Sequence, residues 1–244
     1  MIVWRLVLGI WCFIEGLVLE FGFLSPAAYS PVVRRNLIMP IALMLVLALS
    51  RIPGMLPQNF SAVYALVFCA GVYFRDRLAW WLPLVTLLLT DVALDIYYLK
   101  MGWPVFTAHA LREQLFIYFA YAAIWWLGRK FKPHSSFVGL LSGGFLGAVL
   151  FYLITNTASW FFNPFNNPEY TKSFLGWLRA LTIGTTGWPQ TWEFFRNTLL
   201  SGGLFTGLFV GAMKITEASE SAKEKEPATE PAEEPEGKPA GEEA

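Results

Sequence analysis

Residues 78–97 read Leu78-Ala79-Trp80-Trp81-Leu82-Pro83-Leu84-Val85-Thr86-Leu87-Leu88-Leu89-Thr90-Asp91-Val92-Ala93-Leu94-Asp95-Ile96-Tyr97. A run of this length with two charges has the span a helix needs to cross a hydrocarbon layer of ~30 Å. Asp91 lies inside it, and Asp95 follows one turn later on the same face. An aspartate at the centre of such a helix costs about 2.5–3.5 kcal/mol on insertion scales, so a carboxylate kept there needs a partner or a purpose.

Six further apolar stretches surround this one, at 2–24, 37–52, 59–74, 111–128, 136–161 and 189–213. The expected fold is all-α: a polytopic transmembrane bundle of six core helices, 37–52 through 189–213, plus an extra N-terminal helix. Three regions follow. Residues 1–36 hold the additional transmembrane or interfacial helix and a basic loop, 37–216 the six-helix core, and 217–244 an acidic cytoplasmic tail. Segment 2–24 starts the chain as a secretory signal would. Yet Glu15 and Glu20 interrupt it and no clean small-residue cleavage pattern follows, so an uncleaved helix is expected. The stretches 37–52 and 59–74 are short and are separated by Arg51-Ile52-Pro53-Gly54-Met55-Leu56-Pro57-Gln58, whose prolines and glycine stop one helix before the next begins. The tail has no aromatic residue, and Pro227, Pro231, Pro235 and Pro239 recur at every fourth position. It cannot bury enough apolar surface to offset its chain entropy, and disorder is expected.

Charge divides the chain in the same way. The 18 basic and 18 acidic residues cancel, but the tail carries 10 Glu against 3 Lys, a net −7, leaving +7 on residues 1–216. That body has 23 charged residues in 216, too few to solvate a soluble domain, and a soluble enzyme is excluded. Its short turns read Arg34-Arg35, Arg75-Asp76-Arg77, Arg129-Lys130-Phe131-Lys132 and Lys214. By the positive-inside rule they face the cytoplasm, which predicts a multi-pass inner-membrane protein with a cytoplasmic tail. Eleven Trp, nine Tyr and 21 Phe suit helix ends at lipid headgroups. Cys12 and Cys69 lie in apolar runs as buried thiols, and His109 and His134 fall near opposite sides of the membrane. With no phosphate loop, zinc spacing or nucleophile elbow in the chain, no catalytic residue, metal or cofactor is assigned, and nucleic acid is not an expected partner.

Several helices aim polar groups at one layer. Asp91 lies roughly 9 Å inside the outer end of its helix and Arg196 roughly 10 Å inside the same side, at ~1.5 Å per residue. Glu193, Asn197 and Ser201 form an i, i+4, i+8 stripe beside Arg196, while Asn156 and Asn59 lie in the same outer half. One reading makes Asp91 and Arg196 a structural pair, with Asn156 linking neighbouring helices. The other makes Asp91, Arg196, Asn197, Asn156, Glu193 and Asn59 a solute pocket between aromatic walls such as Trp103, Trp160 and Trp188. Arg112-Glu113 belong to its rim or form a helix-end charge pair. Deeper in, Gly139, Gly143 and Gly147, and Gly203, Gly207 and Gly211, recur at intervals of four. They give smooth faces for packing of 136–161 on 189–213, or for a partner membrane protein.

The stretch Asn59-Phe60-Ser61-Ala62-Val63-Tyr64 through Gly71-Val72-Tyr73-Phe74 resembles a family of bacterial inner-membrane proteins known only as a domain of unknown function. Leu82-Pro83-Leu84, Leu88-Leu89-Thr90-Asp91, Thr155-Asn156 and Phe195-Arg196-Asn197-Thr198-Leu199 extend the resemblance over about 37–213. Ala62 stands where that family commonly has proline, and Ser201-Gly202-Gly203 where it has Gly-Asp, so any role of that aspartate is missing here.

More widely, the six-helix pattern resembles the membrane-embedded substrate-binding subunits, or S-components, of energy-coupling-factor transporters, though their Ala-x-x-x-Ala docking signature is missing: Ala42 and Ala48 are six apart. The resemblance implies binding and facilitated uptake of a small, micronutrient-like solute without catalysis, with a coupling subunit and ATPase module as partners besides the lipid bilayer. The alternative is a non-catalytic structural or assembly subunit of a larger membrane complex. A third reading, an intramembrane enzyme, would use Asp91 or Glu193 as acid or base.

Overall fold

The computed structural model describes residues 31–74 and 78–225, with side chains over 41–74 and 81–216. The N-terminal segment 2–24, the basic turn Arg75-Asp76-Arg77 and residues 226–244 lie outside the described residues. Seven helices and no strand occur among those described. They are α1 (Pro31–Ser50), α2 (Val63–Tyr73), α3 (Leu78–Lys100), α4 (Ala108–Gly128), α5 (Phe137–Phe162), α6 (Phe174–Thr182) and α7 (Thr191–Lys225). Among the described residues three stretches are long and apolar enough to cross a membrane: Trp81–Lys100 of α3, the whole of α5, and Thr191–Thr216 of α7.

The centre belongs to α2. Its 11 residues rise only about 16 Å, too little for a ~30 Å layer. Val63 through Val72 are all buried, as expected of a helix that is apolar around its whole circumference. It packs against α1, α3, α4, α5 and α7. Against α4 the approach is backbone to backbone: a Cβ on Gly71 would sit 2.4 Å from the Trp125 carbonyl oxygen, and one on Gly128 would sit 2.3 Å from that of Phe68.

The α5–α7 packing is internal, and Gly203 and Gly207 of the expected repeat face α5, where a Cβ would lie 2.3 Å from Phe145 and 3.8 Å from Leu141; Gly144 and Gly202 complete the seam. A Cβ on Gly144 would lie 2.1 Å from Thr206 Oγ1, and one on Gly202 would lie 2.8 Å from Ala148 Cβ. Gly143 instead receives the Phe68 ring and Gly147 faces Ile124, so part of the four-residue repeat serves α2 and α4. Gly211 has open space beside it.

Several boundaries differ from expectation. Arg34 and Arg35, assigned to a loop, lie on α1, which begins at Pro31, a residue whose fixed φ suits a first helical turn. Asn59, expected to open the second core helix, precedes α2 in a left-handed conformation with φ 60°. The chain turns there, and Ser50 Oγ accepts from the Ala62 N–H at the helix start (3.1 Å). At the other end of the chain, α7 runs on to Lys225, past Lys214 and through nine residues assigned to the tail. Residues 217–225 are Glu, Ala, Ser and Lys with no proline before Pro227, a composition that extends a helix already nucleated. Helix α6 lies between α5 and α7, where none of the expected helices falls. Ser173 caps it, accepting from Gly176 N–H at 3.1 Å, and Gly184, at φ +76°, follows its end.

Candidate functional site

Asp91 gathers a cluster from three parts of the chain. Arg51, immediately after α1, donates from Nη2 to Oδ1. Gln114 Nε2 and Tyr118 OH, one turn apart on α4, donate to Oδ2 at 2.7 and 2.5 Å. Both carboxylate oxygens are thereby occupied. Arg51 and Asp91 form the one ion pair among the described residues, each side chain 15% exposed. Charge-assisted bonds of this kind are the strong ones, and bidentate crowding of donors around one carboxylate fixes its position.

The loop 51–62 sets Arg51 in place. Ser50 Oγ donates to Leu47 O at 2.8 Å and lies 3.3 Å from Ser61 Oγ, so both ends of the loop meet at one hydroxyl. Gly54 supplies φ +79° within it, and Gln58 O accepts from Asn197 Nδ2 of α7 at 3.0 Å. The guanidinium is only partly used. Its Nη1 is buried and has no hydrogen-bond partner among the described residues, which leaves one donor of a planar, permanently charged group unused by them.

The residues expected to share this layer have other positions. Arg196 is not within ion-pair distance of Asp91; its guanidinium lies exposed, 5.5 Å over the Trp192 ring of its own helix. The expected match in depth did not produce contact, because α3 packs on α1 and α2 whereas α7 packs on α2, α5 and α6. Asn197 ties to the 51–62 loop, as above. Asn156 donates to Tyr152 O one turn back at 2.9 Å, a bond within α5. Asn59 offers its carbonyl to Tyr64 OH at 3.4 Å. Glu193 is in the first turn of α7, where a carboxylate is favoured by the helix dipole. Ser201 is wholly buried and donates to Thr198 O at 3.1 Å. Trp103, Trp160 and Trp188 do not wall the cluster: Trp103 tilts against Tyr98, Trp160 Nε1 donates to Thr171 O, and Trp188 is 69% exposed.

Arg51, Gln114 and Tyr118 are the site residues that sequence reasoning missed. Arg51 was legible only as part of a helix-stopping stretch, although it is a lone cation at the end of an apolar run. Gln114 and Tyr118 carry the i, i+4 spacing that puts two polar tips on one face of α4. Among the described residues, no group of three or more His, Cys, Asp or Glu side chains is placed to hold a metal ion.

No curated protein and no solved structure matches the chain. A family model does match, over residues 32–226, a longer reach at both ends than the motif-bearing stretch 37–213. The chain belongs to that family, described as a Family of unknown function (DUF6580).

Proposed function

We propose that this chain is a multi-pass inner-membrane protein, with its tail in the cytoplasm, that binds a small polar solute at the Arg51–Asp91 cluster and facilitates its uptake. The observation that carries the reading is the Arg51 Nη1, buried and without a hydrogen-bond partner among the described residues, beside a carboxylate whose own needs are met. A solute bearing a carboxylate or carbonyl oxygen would satisfy that donor, and the guanidinium fork favours an acceptor of this geometry. Asp91, Gln114 and Tyr118 would then position Arg51. An S-component-like role gives the solute a route inward, with the energy supplied by a partner module.

The test is native mass spectrometry of the detergent-purified full chain. A small-molecule adduct on the native chain that is absent from Arg51→Lys, which keeps the charge and loses the fork, supports the proposal. A bare mass in both, with unchanged stability, sinks it.

A second reading, a structural or assembly subunit, is favoured by the saturation of Asp91. In that case the cluster is a lock between α3 and its neighbours. The double substitution Arg51→Met with Asp91→Leu would preserve both fold and cellular function, since well-packed apolar replacements of a buried pair are often neutral or stabilising.

A further inference from the structure

Away from the Asp91 cluster, a cleft of about 540 Å3 runs between α4 and α5, open along one side. Phe116 and Phe119 line one wall, and Ile154, Ala158, Phe161 and Phe162 the other. Its single hydroxyl, on Thr157, is taken up by the Trp177 indole N–H of α6 at 3.0 Å, so the lining is apolar in effect. Phe119 and Phe161 are 62% and 58% exposed, which places the cleft on the outer face of the bundle rather than in its core.

Cations stand at one end only. The Arg112 guanidinium lies 4.7 Å over the Phe162 ring and the Lys172 ammonium 5.3 Å over the Phe161 ring, and these two rings are 5.0 Å apart. Among the described residues neither cation has a carboxylate within ion-pair distance; Glu113, adjacent to Arg112 in sequence, is not paired with it. Lys172 spends its protons on the carbonyl oxygens of Trp160 and Phe161, and Arg112 meets His109 Nδ1 at 3.3 Å. The Arg112 Nε is buried with no hydrogen-bond partner. From Phe162 back to Ile154 the α5 wall descends about 12 Å at ~1.5 Å per residue, close to the acyl depth of one leaflet, about half of ~30 Å.

We infer that this cleft is a binding site for one anionic glycerophospholipid, with an acyl chain against Phe116, Phe119, Ile154 and Ala158 and the phosphate against Arg112 and Lys172. An apolar trough closed at one end by two cations without anions matches a molecule that is apolar along its length and negative at its tip. Basic residues at a bilayer surface attract anionic headgroups by about a factor of five each, so the headgroup charge, not the chain, sets the preference. The site is independent of the solute reading at Arg51.

Native mass spectrometry of the full chain in lipid-free detergent, given phosphatidylglycerol or phosphatidylcholine with identical acyl chains, tests it. Phosphatidylglycerol is expected to be retained preferentially. Arg112→Gln or Lys172→Gln should each lower its retention roughly fivefold and the pair about thirtyfold, with a smaller loss for phosphatidylcholine, whose phosphate charge is offset by its choline. Ala158→Trp should block both lipids. Lys172 is exposed, so its variant serves if Arg112→Gln is not monodisperse. Equal retention of the two lipids overturns the proposal, as does displacement of phosphatidylglycerol by inorganic phosphate at the same concentration, which would make this a free-anion site. A dimer mass abolished by Ala158→Trp, with no lipid retained, also overturns it by assigning the cleft to a second copy of the chain.

Discussion

Helices α2 and α3 are neighbours in sequence and are fixed by opposite means. The 11 residues of α2 are buried on every side and meet α4 through the backbones of Gly71 and Gly128. The 23 residues of α3 leave Leu88, Leu89, Ile96 and Tyr97 exposed and pack on α1 and α2. Its ties to α4 include the Gln114 and Tyr118 hydrogen bonds to Asp91. Shape determines where α2 sits, whereas a polar cluster fixes α3. Dispersion and close packing are insensitive to charge and tolerate no extra atom; a hydrogen-bonded carboxylate tolerates shape changes nearby but not the loss of one partner.

That contrast fails most visibly if the shape-fixed helix accepts added volume. Gly71→Leu should give the largest effect here, loss of monodisperse folded protein, because the new side chain meets the Trp125 carbonyl and cannot displace a helix backbone cheaply. Thermal unfolding in detergent reads it. A variant as stable as the native chain would mean that the α2–α4 contact is loose. Next in size is Asp91→Ala, which leaves Arg51 without its counter-charge and should cost about 3–5 kcal/mol. Combining it with Arg51→Met should recover most of that loss. If the double variant is as unstable as the single, charge is not what fixes α3.

The same difference governs how much the residues reveal unaided. The apolar runs of α3, α5 and α7 are visible because their length exceeds what a short strand or loop requires. Asp91 is visible because a carboxylate in such a run is costly wherever it points. Its partner is not, since choosing Arg196 relied on depth alone, and depth leaves the direction around each helix undetermined. The cation that does reach Asp91 comes from Arg51, placed by a loop whose course depends on Gly54, Asn59 and the hydroxyl of Ser50. Such a loop has no periodicity to read. Helix α6 escaped notice for a related reason: nine residues within a Trp- and Asn-rich connection give too short a pattern, and its start depends on one cap at Ser173. The glycine repeats were legible as close contacts, but which helix each glycine meets is decided by rotation, as Gly143 and Gly144 demonstrate by facing Phe68 and Thr206 respectively.

Finer substitutions sharpen the account of α3. Tyr118→Phe removes one donor to an ionised acceptor and keeps the ring against Tyr121. It should cost about 1.5–3 kcal/mol, the range for hydrogen bonds to charged groups. Gln114→Met should cost less than this, because Gln114 is the longer of the two bonds and its side chain is more easily replaced by water. A double-mutant cycle between Tyr118→Phe and Asp91→Asn separates a direct bond from general packing. Coupling near zero would remove Tyr118 from the cluster and leave Arg51 and Gln114 to hold α3.

The smallest effect is expected outside both helices, in the 163–173 connection, where Glu169 accepts from the Thr186 N–H at 3.1 Å. The hydroxyl and N–H of Thr186 hold this surface carboxyl below its ordinary value of 4.5. A group whose pKa is depressed on folding contributes stability that is present above the unfolded value and is lost as pH falls through the folded one. The native chain should therefore lose a small increment of its thermal midpoint as pH drops below 4.5, and Glu169→Gln should lack that increment at every pH. The comparison of α2 with α3 gains a baseline from this, since a surface tie near the same end of the bundle should register faintly where the Asp91 substitutions register strongly. An acid-dependent loss in native protein as large as that of Asp91→Ala would show that the loops, rather than the buried cluster, carry the charge-dependent stability.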